Sequence, residues 1–167
     1  YLYKYPQAAY PYEELVAMSR RRGKHETEHE LLDTGLFAED RYFDVEVTYA
    51  KGGPEDFLVR IEVTNRGPER APVELLPTLW FRNTWSWGQE GEGNTNKPAL
   101  FWDGNMIKFE HETLEKDFQF TAEREPEQWL FTENETNLEA LGFAPAAVEQ
   151  KYTKDAFHRY VINGQKQ

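Results

Sequence analysis

No cysteine occurs in the 167 residues, which excludes a disulfide scaffold, an iron–sulfur cluster and a thiol nucleophile, and favours a reducing compartment such as the cytoplasm. Basic residues are scarce: Lys and Arg total 19 against 30 Asp and Glu, for a net charge of −11 at pH 7. Nucleic acid and anionic membrane surfaces both need a basic footprint, so neither is an expected partner. The one basic cluster, Arg20, Arg21 and Arg22, is followed closely by acids and reads as a solvated helix end. No apolar run approaches the length of a membrane span, no signal peptide precedes the first strand pattern, and no repeat or low-complexity tract appears. The chain opens on Tyr1 rather than Met, in a stretch that is already aromatic (YLYKYPQAAYPY), which leads us to expect a segment of a longer polypeptide.

Aromatic residues, in contrast, make up 15% of the chain and fall mainly in alternating runs that can supply a sheet core. Pro6 and Pro11 keep the opening extended; Tyr12 to Arg22 then reads as a short helix, with Glu13 and Glu14 in its first turn, Leu15, Val16 and Met18 on one face, and Gly23 as its stop. From Tyr42 the period changes to two. Phe43, Val45, Val47 and Tyr49 alternate with polar residues, as do Phe57, Val59, Ile61 and Val63, predicting half-buried antiparallel strands joined through Gly52, Gly53 and Pro54. A third strand is expected over Val73 to Phe81. A hairpin follows at Leu100–Trp102 and Met106–Phe109, turned by Asp103, Gly104 and Asn105, then strands at Phe118–Ala122 and Trp129–Thr132. Two short helices are expected near the end, one in NETNLEALGF, capped by Asn134 or Thr136 and stopped by Gly142, the other opened by Asp155 and closed near Gly164. The sum predicts a mainly β, single-domain chain over residues 1–167, an antiparallel β-sandwich of supersandwich type with a few short helices, long enough to bury a sizeable core.

Leu76 to Gly88, LPTLWFRNTWSWG, is the densest aromatic and polar segment. Indole faces stack on the apolar C–H face of a pyranose, and a guanidinium or carboxamide grips hydroxyls. If strand parity held from Val73, then Val73, Leu75, Leu79 and Phe81 would face the core, with Trp80 and Arg82 on the outer face; Asn83, Trp85 and Trp87 would point inward unless Pro77 introduces a bulge. Trp80, Arg82, Asn83, Trp85 and Trp87 are therefore candidates for sugar contact. The alternative, that aromatic strands are simply core, stays open.

Other motifs carry less. His25 to His29, HETEH, matches the HExxH zinc pattern formally, but Gly23 breaks the preceding helix and charged residues flank it where a buried zinc helix needs apolar ones; we expect a charged loop and no metal. Asn134, Glu135 and Thr136 form a glycosylation sequon that helix capping explains better. GQEGEGN, Gly88 to Asn94, lacks the lysine and helix of a phosphate-binding loop and reads as a flap. No catalytic carboxylate pair and no cofactor are assigned.

YLYKYPQAAYPY, LLDTGLF (Leu31 to Phe37), EDRYFDV (Glu39 to Val45), LPTLWFRNTWSWG, TENETN (Thr132 to Asn137) and KDAFH (Lys154 to His158) resemble the amino-terminal region of bacterial glycoside hydrolases of family 63, relatives of processing α-glucosidase and mannosylglycerate hydrolase. The resemblance spans nearly the whole chain. It implies an amino-terminal β-sandwich that packs on an (α/α)6 barrel, with the inverting acid and base carboxylates in the barrel. This chain would then be non-catalytic, bracing the barrel and lending Tyr3, Tyr5, Trp80, Arg82, Asn83, Trp85 and Trp87 to the sugar-pocket rim or the domain interface. The expected partners are that barrel and an oligosaccharide or small α-glycoside. An unpaired sheet edge is also expected, and with it self-association through edge strands. The rival expectations are an autonomous carbohydrate-binding module and a purely structural sandwich.

Overall fold

The structure is a computed structural model that describes residues 1–87, 96–114, 118–144 and 152–165, with Trp87 described by its backbone alone. It is mainly β: two three-stranded antiparallel sheets and, among the described residues, two α-helices. The chain divides into two compact units, Tyr1–Val73 and Glu74–Gln167, each holding one sheet.

In the first unit β1 (Leu2–Pro6), β2 (Tyr42–Lys51) and β3 (Phe57–Asn65) lie in that order. The register aligns Tyr3 with Val45 and Val63, Tyr5 with Phe43, Val47 with Ile61, and Tyr49 with Val59. Because side chains alternate along a strand, these residues share one face, and Lys4, Asp44, Glu46, Arg60, Glu62 and Thr64 share the other. The aromatic face is only partly covered: Phe43 is buried, whereas Tyr3, Tyr5, Tyr49 and Phe57 are exposed. On the polar face Asp44 accepts from Lys4 Nζ at 3.0 Å and from Arg66 Nε at 2.6 Å, tying β1, β2 and the residue after β3. The two cations, Lys4 first, hold the Asp44 carboxyl below the usual carboxylate range.

Helix α1 (Tyr12–Arg21) follows β1 with Glu13 and Glu14 in its first turn and Arg20 and Arg21 in its last, each sign complementing the helix dipole. It stops because Arg22 turns to an extended conformation while its N–H still bonds Met18 O. Leu15 and Met18 are half-buried; Val16 is exposed. The HETEH segment forms a turn and extended chain instead of a helix, so its histidines are not one helical turn apart. His29, with 7% of its side chain exposed, sits between Glu14 (Nε2 to Oε1, 3.2 Å) and Asp33 (Nδ1 to Oδ2, 3.8 Å), pinning the 3₁₀ turn Leu31–Thr34 to α1. Glu39 and Asp40 both take positive φ, 56° and 55°, where the chain bends into β2.

In the second unit β4 (Ala99–Asp103), β5 (Met106–Glu110) and β6 (Gln119–Thr121) lie in that order. The β4–β5 turn needs positive φ at one position, and Gly104 supplies it at 71°. Helix α2 (Ala156–Asn163) ends at Gly164, also left-handed at 62°. Where a helix was expected in NETNLEALGF there is a 3₁₀ turn, Glu139–Leu141, with Asn137 Oδ1 accepting the Ala140 N–H at 3.1 Å and Gly142 closing it. Val73 to Phe81 and Trp129 to Thr132, both expected as strands, join neither sheet. Pro77 removes a backbone donor from the first and Pro72 one just before it, and alternation without a partner ladder does not make a strand. The core is correspondingly small: Pro6, Leu36, Phe43, Ile107 and Ala156 are the buried apolar residues among those described.

Candidate functional site

The second unit contains a cavity of about 750 Å³ whose wall includes Trp80, Phe81, Trp85, Trp129, Lys97 and Glu133. Its floor is laid by the sheet: Ile107, the buried residue of β5, stands opposite Phe120 of β6, whose ring meets Trp129 edge-on at 6.4 Å. Phe81 packs against Phe109 at 5.5 Å and His111 at 4.8 Å, anchoring the segment that carries Trp80.

Three chain segments converge on one side. Glu133 N–H donates to Tyr152 O at 2.7 Å, and Lys154 N–H to Glu135 O at 3.1 Å, so residues 133–135 and 152–154 run side by side. Asn134 faces the third segment: its carboxamide donates to Phe81 O, and its own carbonyl accepts from Asn83 Nδ2 at 2.7 Å. Asn83 Oδ1 in turn accepts from Ser86 Oγ at 2.7 Å and shapes the 3₁₀ turn Trp85–Trp87. The sequon asparagine is thus engaged inside the unit, and the capping role falls to Asn137.

Charge is concentrated in a triad. Lys97 Nζ donates to Glu133 Oε2 and lies 3.4 Å from Glu135 Oε1, and that same oxygen accepts from Trp85 Nε1 at 2.9 Å. Burial works to lower the Lys97 pKa; the Glu133 hydrogen bond and the charges of Glu135 and Glu133 outweigh it and raise the pKa, so the ammonium persists. Glu135 is 14% exposed at its side chain, and its Oε2 has no hydrogen-bond partner among the described residues. Lys154 Nζ lies 5.7 Å from the centre of the Trp80 ring, within cation–π range. The chemistry on offer is binding: indole faces for an apolar ring surface, and amide, ammonium and carboxylate groups for hydroxyls. An inverting glycosidase needs one carboxylic acid and one carboxylate facing each other across the scissile bond, whereas Glu133 and Glu135 share one ammonium.

Of the residues singled out from the sequence, Trp80 and Trp85 line the cavity and Asn83 braces its wall through Asn134. Trp80 is 60% exposed; Arg82 is exposed and Trp85 half-buried. Trp87 is placed by its backbone in the turn after Asn83, and its side chain lies outside the described residues, as does the flap segment Gly88 to Asn94. Tyr3 and Tyr5 stand on β1 in the first unit, rings 6.2 Å apart, both exposed on the aromatic face. Leu75 and Leu79, expected in the core, are exposed. Lys97, Glu133, Glu135 and Trp129 were not singled out. The i, i+2 spacing of Glu133 and Glu135 in an extended segment is the one sequence signal for the pair, and it does not point to Lys97, 36 residues away from Glu133.

No protein-family model matches the chain, and no solved structure matches it. The chain is similar to a protein of Saccharomyces cerevisiae (strain ATCC 204508 / S288c), "Uncharacterized protein YMR196W", at 32% identity over 195 aligned residues that cover 98% of this chain and 18% of the yeast protein. The chain therefore spans less than a fifth of the length of that relative. The alignment is longer than the chain, so the yeast protein carries insertions within the matched region.

Proposed function

We propose that this chain is the non-catalytic amino-terminal β-sandwich region of an inverting glycoside hydrolase of the family 63 kind, acting when whole on α-glucosides or similar small α-glycosides. It braces an (α/α)6 catalytic barrel and contributes loop residues to the rim of the sugar pocket. The observation that carries the reading is the cavity bounded by Trp80 and Trp85 and by the Lys97–Glu133–Glu135 triad, which joins stacking surfaces to groups that grip hydroxyls. The sequence resemblance supplies the family, and the much greater length of the yeast relative leaves room for a barrel. The sandwich belongs to the same reading. It is supported by antiparallel sheets of which the first carries one continuous aromatic face, the kind of surface that a second layer covers.

A second reading, an autonomous carbohydrate-binding module, is favoured by one observation: the lining of the cavity, among the described residues, comes wholly from the second unit. Titration of the isolated chain with α-linked gluco-oligosaccharides, followed by tryptophan fluorescence, separates the two. The first reading predicts no saturable change in the isolated chain, no turnover of an aryl α-glucoside by it, and a loss of activity at low substrate when Trp80→Ala is placed in the parent enzyme. Saturable quenching abolished by Trp80→Ala in the isolated chain would establish the module instead. Turnover by the isolated chain that a substitution within it removes would overturn both.

A further inference from the structure

We propose that β3 is a self-pairing edge through which two copies of this chain join, antiparallel and centred on Ile61, into one continuous sheet. The inference stands whether or not the cavity takes a sugar. It starts from the direction of the backbone groups. Val47 exchanges both hydrogen bonds with Tyr1, N–H to O and the reverse, at 2.8 Å each, so its polar groups point toward β1. In an antiparallel ladder the residue opposite on the other side, Ile61, is then a non-hydrogen-bonded partner of Val47 and turns its own N–H and C=O away from β2. The ends of the ladder agree. Arg66 N–H reaches Tyr42 O at 2.9 Å and Gly52 N–H reaches Asp56 O at 2.9 Å, so the even-numbered residues face β2. Phe57, Val59, Ile61, Val63 and Asn65 therefore present their donors and acceptors along the far side of β3, where no other strand pairs among the described residues.

The sequence of that edge, FLVRIEVTN, complements itself. A two-fold axis at Ile61 sets Ile61 against its copy, Val59 against Val63 of the second copy, and Phe57 against its Asn65. All are outward-facing positions, so each N–H meets a carbonyl in a hydrogen-bonded pair. On the other face the same axis sets Arg60 against Glu62 of the second copy, twice, in the closer non-hydrogen-bonded pairing that brings opposite charges together. Moving the axis to Arg60 or Glu62 still pairs the outward-facing groups but sets like charges opposite each other, Arg60 against its copy or Glu62 against its copy. Within one copy Arg60 and Glu62 already touch at 2.8 Å, both exposed, so pairing closes a ring of four alternating charges. The other edge is less suited: β1 is five residues long and ends in Pro6, which has no N–H to offer.

Sedimentation velocity on the full 167-residue chain tests the proposal. A concentration-dependent dimer is expected, with amide exchange of Val59, Ile61 and Val63 slowing as the concentration rises and that of Leu58, Arg60 and Glu62 unchanged. Arg60→Glu sets Glu against Glu62, and Glu62→Arg sets Arg against Arg60; each alone should weaken the dimer about ten-fold or more, two like-charge pairs replacing two opposite ones. An equimolar mixture of the two variants should recover a heterodimer, and the doubly exchanged chain a homodimer. Both positions are exposed, and far-UV circular dichroism confirms that the variants fold. A chain that stays monomeric at all concentrations, or a dimer indifferent to both charge reversals, would overturn the proposal. So would failure of the mixture to recover association when each single variant has lost it.

Discussion

Trp80 and Phe81 are neighbours with opposite roles. Phe81 meets Phe109 and His111 and receives Asn134 on its carbonyl, so its ring holds the segment to the second sheet. Trp80 is mostly in solvent, with Lys154 above its ring. Truncating an exposed side chain changes stability little, whereas removing a packed phenylalanine costs the transfer of its ring and leaves a gap. Trp80→Ala should therefore shift the unfolding free energy of the isolated chain by less than about 0.5 kcal/mol. Phe81→Ala, half-buried, should cost about 2–3 kcal/mol. Urea denaturation of the two variants checks both; equal losses would mean that Trp80 is a packing residue and would remove it from the candidate site.

At the scale of elements, the first sheet depends on one carboxylate that no strand owns alone. Asp44 of β2 accepts from Lys4 of β1 and from Arg66 just past β3. Its folded pKa is held below the unfolded value of about 3.9. The stabilisation is thus fully present above that value and is lost as pH falls through the lower, folded pKa. Asp44→Asn should lower the denaturation midpoint near neutral pH, and the gap between it and the unaltered chain should begin to shrink as pH falls below about 4, closing only as pH passes the lower, folded pKa, below which Asp44 is protonated folded and unfolded alike. A gap that stays constant as pH is lowered from about 7 toward about 2 would mean that the carboxylate acts through shape and not charge.

The same elements show what was legible in the sequence. β3 contains the whole alternating run Phe57 to Val63 and ends at Asn65, β2 extends two residues past Tyr49, and the Asp-Gly turn and both α-helices lie where local signals put them. Those signals are local: period, turn chemistry and dipole-matched ends. The Val73–Phe81 segment had the period but not the ladder, because pairing depends on a partner and on donors that Pro72 and Pro77 do not have. Of the site, the tryptophans were legible from composition. The Lys97–Glu133–Glu135 triad was not, since it is made by segments far apart in the chain and each of its members, taken alone, reads as a solvated charge.

For the molecule as a whole the governing quantity is surface. The chain exposes 13976 Å², against about 8,600 Å² for a folded monomer of its 19.7 kDa and about 10,400 Å² for two separate folded halves. It buries roughly half of the area that its unfolded chain would expose, where a domain of this length ordinarily buries about 70%. The excess is apolar in large part: Tyr1, Tyr3, Tyr49, Phe57, Trp80 and Trp102 all stand in solvent. Denaturant sensitivity and the heat capacity of unfolding both scale with the area newly exposed. The isolated chain should therefore unfold with a urea m-value and a ΔCp about three quarters of those typical for its length, and it should bind a hydrophobic dye such as ANS before unfolding begins. If the chain belongs to a longer glycosidase as proposed, adding the polypeptide that covers these faces there should raise both quantities by more than the added residues alone account for, because the faces of this chain would then be buried as well. An m-value already ordinary for 167 residues, with no dye binding, would mean that the chain hides its aromatic faces by itself, and the need for a covering layer would disappear with them.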